Sequence, residues 1–177
     1  MKYCSTCGAT VSHRVPEGDR LARFVCDQCG EIHYINPKLV VGTIPVWQER
    51  ILLCRRAIEP QLGFWTLPAG FMEMAESTAE AARRETREEA CAHVRLVGLF
   101  SMVNIPHISQ VHLFYRAEMD DASFAPGDET LETRLFALEE IPWDELAFRS
   151  VSLTLRLFLE DRERSHYGFH EATLAPK

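Results

Sequence analysis

Apolar and polar positions alternate along this chain in blocks short enough to read one by one. Leu39 to Val46 and Ile51 to Cys54 are apolar and rich in β-branched residues, and the polar Gln48-Glu49-Arg50 between them predicts two strands joined by a turn. Thr66-Leu67-Pro68-Ala69-Gly70 has loop chemistry, and Ser77-Thr78-Ala79-Glu80 is a capping-box pattern that opens a helix running to about Cys91. Val94 to Val103 and Val111 to Ala117 predict further strands. Asp120 to Thr130, with Pro126-Gly127, predicts a surface loop, and Leu135-Phe136-Ala137-Leu138 a short strand. Pro142 suits the first turn of a short helix over Trp143 to Leu146. From Ser150 to Arg164 two periods compete. Val151, Leu153, Leu155, Leu157 and Leu159 alternate like a strand, whereas Val151, Leu155, Phe158 and Leu159 share a helical face. The length and the charged end Glu160-Asp161-Arg162-Glu163-Arg164 favour the helix. Phe169 to Lys177 reads as a loosely held tail.

Residues ahead of Asn36-Pro37 carry little of this pattern and are marked instead by cysteine. Cys4-Ser-Thr-Cys7 and Cys26-Asp-Gln-Cys29 are two C-x2-C pairs, 18 residues apart, the spacing of a four-thiolate zinc site. Each pair ends in a Cys-Gly step, which frees the backbone to turn tightly around the sulfurs. A metal staple suits a piece of this size, because it has little core of its own. Two disulfides are the alternative, disfavoured in a reducing compartment. His13 and His33 are expected at the surface, since four thiolates complete the shell. Cys54 and Cys91 lack a partner at ligand spacing and are expected as buried small hydrophobes. These features divide the chain into a ribbon (1–36), a main domain (37–165) and a tail (166–177).

Composition narrows the function classes. With 46% hydrophobic and 25% charged residues the chain of 177 residues is an ordinary globular protein of one full domain with an appendage. Its net charge of −7 argues against binding nucleic acid, which is held mainly through basic side chains, and the ribbon itself shows no basic patch. The longest apolar run, Leu39 to Trp47, is too short to span a membrane, and Lys2-Tyr3-Cys4 does not look like a leader, so no membrane partner and a cytoplasmic location are expected.

The predicted helix after Ser77 carries the chemistry. At 100° per residue Glu85, Glu88 and Glu89 fall within one sector, while Ala79, Ala82, Thr86 and Ala90 form a neighbouring face of small side chains that packs closely on a sheet. Arg83 and Arg87 point outward. Three carboxylates on one face repel one another and recruit cations. Oxygen ligands suit Mg²⁺ or Mn²⁺, which bridge to substrate phosphates. A solvated Glu/Arg face is the bland alternative. Against it stands the longer pattern: Gly70, five residues, Glu76, seven residues, Arg84-Glu85, two residues, Glu88-Glu89. This resembles the loop-helix-loop signature of the Nudix hydrolases.

The resemblance covers residues 39 to about 160, and the cysteine pairs extend it to the amino terminus. It implies a Nudix α/β/α sandwich with a mixed sheet, preceded by a small zinc ribbon. It implies that Glu85, Glu88 and Glu89, with the carbonyl of Gly70, hold divalent ions, that Arg84 orients those carboxylates and that Glu76 braces the loop. Glu89 or a carboxylate outside the motif would act as base, and Glu132 resembles the position from which many family members supply one; a solvated Glu132 is the alternative. Thr86 departs from the usual aliphatic residue, and Cys91-Ala92 from the usual glycine and aliphatic residue, all toward the helix's end. The implied reaction is metal-dependent hydrolysis of a nucleoside diphosphate linked to another moiety. The segment Phe100 to His107 departs from the NADH pyrophosphatases, while Asn36 to Gly42, Trp65 to Gly70 and Leu131 to Pro142 look more like FAD and ADP-ribose pyrophosphatases. NADH or NAD remains the alternative substrate, and a non-catalytic nucleotide-sensing or partner-binding protein the alternative class. Phe64, Trp65 and Phe71 flank the loop as candidates to stack on a base, with core or loop anchoring as the alternative. His107 and His112 are expected on polar strand faces or in loops. The resemblance also suggests a homodimer, because family members often pair through the ribbon or amino-terminal strands.

Overall fold

A computed structural model describes residues 1–176, in two compact units: Met1–Pro37 and the remainder from Lys38. In the first unit, β1 (Val11–Arg14), β2 (Arg23–Cys26) and β3 (Ile32–His33) form an antiparallel sheet in that order. Its buried side chains are few: Cys4, Pro16, Val25 and Cys26. Two like turns carry the cysteines. Gly8 and Gly30, at φ 76° and 75°, donate their N–H groups to the carbonyls of Cys4 and Cys26 at 3.0 and 3.2 Å. Glycine adopts this left-handed conformation without the Cβ penalty other residues incur.

The second unit is built on a mixed sheet. Its strands are β4 (Lys38–Trp47), β5 (Arg50–Arg56), β6 (Trp65–Thr66), β7 (Ala69–Phe71), β8 (Val94–Ile105), β9 (Gln110–Met119), β10 (Thr130–Phe136) and β11 (His170–Thr173). The order is β10-β5-β4-β9-β8-β11, with β6 added to β5 and β7 to β4. β4 runs parallel to β9 and β11 parallel to β8; the other pairs are antiparallel. Helices α1 (Thr78–Ala90) and α2 (Arg149–Glu163) complete the unit.

Strand alternation sorts the two helices onto opposite faces. Val41 and Leu113 pack with Ala81 and Ala82 of α1, whereas Ile44 and Phe114 pack with Val151, Leu155 and Phe158 of α2. Both faces of the central strands are therefore buried, which is why β4 and β5 read as continuous apolar runs. The result is an α/β/α sandwich. The helical period prevails in α2 because Val151, Leu155 and Phe158 all meet one sheet face.

Three local expectations are corrected. The strand expected from Leu135 to Leu138 begins at Thr130 and ends at Phe136, because β10 is an edge strand whose first half pairs with β5 while exposing Glu132 and Arg134, which leaves no apolar pattern there. Trp143–Glu145 is a single 3₁₀ turn. The expected loose tail contributes β11: His170 to Thr173 pair with Ser101 to Asn104, and Leu174 N–H donates to the Asn104 carbonyl at 2.9 Å. Asp161 anchors the approach, accepting from Gly168 N–H at 2.9 Å and lying 2.8 Å from His170 Nε2. Among the described residues, no helix is long and apolar enough to cross a membrane.

Candidate active site

The site begins at the cap of α1. Ser77 Oγ accepts the Glu80 N–H while the Glu80 carboxylate accepts the Ser77 N–H at 2.8 Å, which starts the helix immediately after the loop from β7. From there α1 passes close to Gly70. A Cβ on Gly70 would collide with the Glu85 carboxylate, so glycine here leaves room for that carboxylate to lie against the strand.

Arg84 ties the acids together. Its guanidinium donates to Glu76 Oε1 at 2.7 Å, to Glu85 Oε1 at 2.6 Å, to Glu88 Oε2 at 2.9 Å and to the Phe71 carbonyl at 3.1 Å. Glu76 also accepts the Glu73 N–H at 2.6 Å. Hydrogen bonds from Arg84, then that from Glu73, hold its carboxyl down to about 2. Glu76 thus fixes the loop and the guanidinium in one arrangement.

Glu85 and Glu89 are buried, whereas Glu88 is exposed. Glu89 accepts the Ala69 N–H at 3.0 Å. Even so, burial pushes its carboxyl up to about 8, and Glu85 and Glu129 add to the rise. Burial raises Glu85 as well, against the pull of Arg84. Like charges are concentrated where solvent is scarce, an arrangement that a bound cation relieves.

The loop after β9 closes the C-terminal end of α1. Ala125 and Gly127 donate N–H groups to the carbonyls of Ala90 and Glu89 at 2.9 and 3.0 Å, partnering groups a helix end leaves open. A Cβ on Gly127 would run into the Glu88 carbonyl, so the close approach requires glycine. The same loop carries Glu129 to the site. Together with Gly70, Glu85, Glu88 and Glu89 it lines a cavity of about 1190 Å³.

Of the three aromatic candidates, only Phe71 lines this cavity, half exposed, with Lys38 Nζ 5.0 Å from its ring centre. Trp65 is 6% exposed and meets Phe136 edge-on in the core. Phe64 lies outside the cavity wall. Glu132 is exposed, 3.7 Å from Arg55 and away from the cavity. The reading along the sequence missed Glu129, because it placed that residue in an ordinary surface loop; Gly127 two positions earlier was the available signal. It also missed Gln110, Phe148 and Leu174, which line the cavity from β9, the residue just before α2 and the chain beyond β11.

Histidine and cysteine positions are corrected too. His112 is 8% exposed, not on a polar face, and lies between Ser150 and Gln110. Burial lowers its pKa to about 4. His107 is exposed at the cavity rim. Cys54 is buried as expected, but Cys91 is exposed in a left-handed conformation, φ 49°, because it ends α1 rather than joining the core. In the first unit the Cys4, Cys7, Cys26 and Cys29 sulfurs all lie within 4.8 Å of one another. His13 is exposed, whereas half-buried His33 lies with Nε2 3.3 Å from Cys4 Sγ.

Comparison with known proteins follows the same division. The zinc-ribbon family described as Nudix N-terminal matches residues 2–35, and the NUDIX domain family matches residues 36–156. A crystal structure of a NUDIX hydrolase from Nitrosomonas europaea is 49% identical, with a TM-score of 0.95, covering 98% of this chain and 99% of that one. An ADP-ribose pyrophosphatase from Methanocaldococcus jannaschii is 28% identical over 121 residues, 65% of this chain and 69% of that protein. An NAD-capped RNA hydrolase, NudC, from Photobacterium profundum is 27% identical over 137 residues, 76% of this chain. The match spans 49% of that NudC, so this chain corresponds to about half the length of such relatives.

Proposed function

This chain belongs to the Nudix family, whose domain matches residues 36–156, and on that premise we propose that it is a divalent-metal-dependent pyrophosphohydrolase. Its substrate is a nucleoside diphosphate linked to another moiety, ADP-ribose or FAD, split into two monophosphates. The observation that carries this reading is the convergence of Glu85, Glu88, Glu89, Glu129 and Gly70 on one cavity of about 1190 Å³. Similarity to an ADP-ribose pyrophosphatase supports the substrate class. Similarity to NudC supports NADH or NAD as the second choice.

Glu85, Glu88 and Glu89, with the Gly70 carbonyl, are the residues we assign to Mg²⁺ or Mn²⁺. The fit rests on an oxygen-only donor set and on the burial that raises Glu89, to which the nearby Glu85 and Glu129 add. When bound, such ions would neutralise the pyrophosphate and stabilise charge developing on the attacking and leaving oxygens. Arg84 holds Glu85 and Glu88 in place, and Glu76 holds Arg84. Glu89 and Glu129 are the carboxylates assigned to accept the proton of the attacking water. Zn²⁺ is assigned to the four cysteines: sulfurs at about 2.3 Å from a tetrahedral zinc stand about 3.8 Å apart, and three of the pairs here are separated by 3.5, 3.5 and 3.8 Å.

Hydrolysis of ADP-ribose, FAD, NADH and NAD⁺, assayed with Mg²⁺ and with Mn²⁺, tests this reading. Glu88→Gln and Glu89→Gln should each lower kcat by at least roughly 100-fold while the circular dichroism spectrum stays that of the parent. Full activity in either folded variant overturns the assignment.

A further inference from the structure

Part of the cavity wall is bare sheet, and its register orders the side chains. Phe71 on β7, Val40 on β4 and His112 on β9 are direct partners across three strands, so they form one row on one face. The next row is Lys38, Gln110 and Ile105 on β4, β9 and β8. Phe71, Val40, His112, Gln110 and Ile105 all line the cavity. The platform is mostly apolar, with its polar groups concentrated on β9.

Those groups form a chain with one consistent direction. His112 is neutral, since burial lowers its pKa to about 4, and so carries one ring proton. Gln110 Oε1 lies 2.9 Å from Nε2 and can only accept, which places that proton on Nε2. Nδ1 must then accept from the Ser150 hydroxyl, 2.9 Å away. Ser150 is 1% exposed at the start of α2 and has no freedom to leave. With its oxygen thus engaged, the Gln110 amide presents its NH₂ group, which has no protein partner among the described residues.

β9 lies two strands from β7, about 10 Å at ordinary strand spacing, and β7 carries Gly70 beside the carboxylates. The row of Gln110 lies on the α2 face and the carboxylates come from α1 on the other, but both line the one cavity, through which a ligand with its pyrophosphate at the carboxylates extends its far end to Gln110. We propose that Gln110 is a specificity-determining residue, its amide donating a hydrogen bond to an acceptor on the nucleotide base, with His112 and Ser150 as positioning residues that aim it. This rests on the pyrophosphohydrolase reading above.

ADP-, GDP- and UDP-glucose test the proposal, because they share sugar and pyrophosphate and differ only in the base. Wild-type protein should separate them by roughly tenfold in kcat/KM, the worth of one good hydrogen bond. Gln110→Met, close in size but without a donor, should compress that spread to about threefold, acting through KM more than kcat. Gln110→Glu, which still accepts from His112 but cannot donate, should compress it likewise. Ser150→Ala, which frees the His112 ring, should raise KM for the preferred base. No spread in the wild type, or a spread that survives Gln110→Met, overturns the proposal. Should the wild type hydrolyse none of the three, nor the compounds tested above, the pyrophosphohydrolase reading falls by itself. Calorimetric binding of the same three nucleotides then decides: a spread flattened by Gln110→Met upholds the role of Gln110, and an unchanged spread or no binding overturns it.

Discussion

Thr86 stands where the family resemblance leads one to expect an aliphatic residue, and its surroundings explain why a hydroxyl is tolerated. It donates to the Ala82 carbonyl at 2.7 Å and therefore accepts from Thr43 Oγ1, 2.6 Å away, with both residues fully buried. Thr86→Val should cost about 1–3 kcal/mol, because it leaves the Thr43 hydroxyl buried without a partner. Thr43→Val should cost less, since Thr86 keeps its bond to Ala82, and the double variant should recover most of the loss. Urea denaturation of the four proteins checks this; additive effects would refute the coupling. His112 makes a second prediction at this scale. Its pKa falls from 6.5 to about 4 on folding. As pH drops through that window the unfolded chain takes up a proton that the folded chain refuses, so stability falls, by up to roughly 3 kcal/mol at about 1.4 kcal/mol per unit. Urea midpoints between pH 7 and 4 should therefore drop more steeply in the parent than in His112→Asn. At the level of single residues the acids of α1 were legible because helical spacing alone puts them on one face. His112 was not, because only the pairing of β9 with β4 and the arrival of α2 bury it.

The same contrast holds for whole elements. α1 was readable from end to end: its capping box is local in sequence, and its small residues meet the sheet at the period they display. The residue that caps its end is less well served. Cys91 adopts the left-handed conformation at the helix end, which glycine occupies without strain. Cys91→Gly should stabilise the protein by about 1 kcal/mol, raising Tm by roughly 2–4 °C, and Cys91→Ala should leave it nearly unchanged. A calorimetric scan distinguishes the two. β10 and β11 were read short or missed because edge strands are held by backbone hydrogen bonds, which leave little trace in the side-chain pattern. The consequence for the site is direct, since β11 leads into Leu174 of the cavity wall and the loop before β10 delivers Glu129.

For the molecule as a whole, the two units differ in what holds them. The unit from Lys38 has three clusters of buried apolar side chains. The unit Met1–Pro37 buries little beyond Cys4 and Cys26, and most of its large apolar residues, Tyr3, Leu21 and Tyr34 among them, are exposed. Stripping zinc with a strong chelator should therefore collapse the amide dispersion of residues 1–37 in an NMR spectrum while the remainder keeps its own, and added Zn²⁺ should restore it. Retained dispersion in the stripped ribbon would refute the metal staple. The sequence by itself determined the α/β class, the cysteine box and the carboxylate helix, because each depends on residues near one another in the chain or on a period written along it. Only the tertiary structure decided which glutamate joins the carboxylates, which aromatic faces the cavity and where Gln110 points. Those outcomes depend on strands and loops distant in sequence meeting across a sheet, and no local pattern records where they meet.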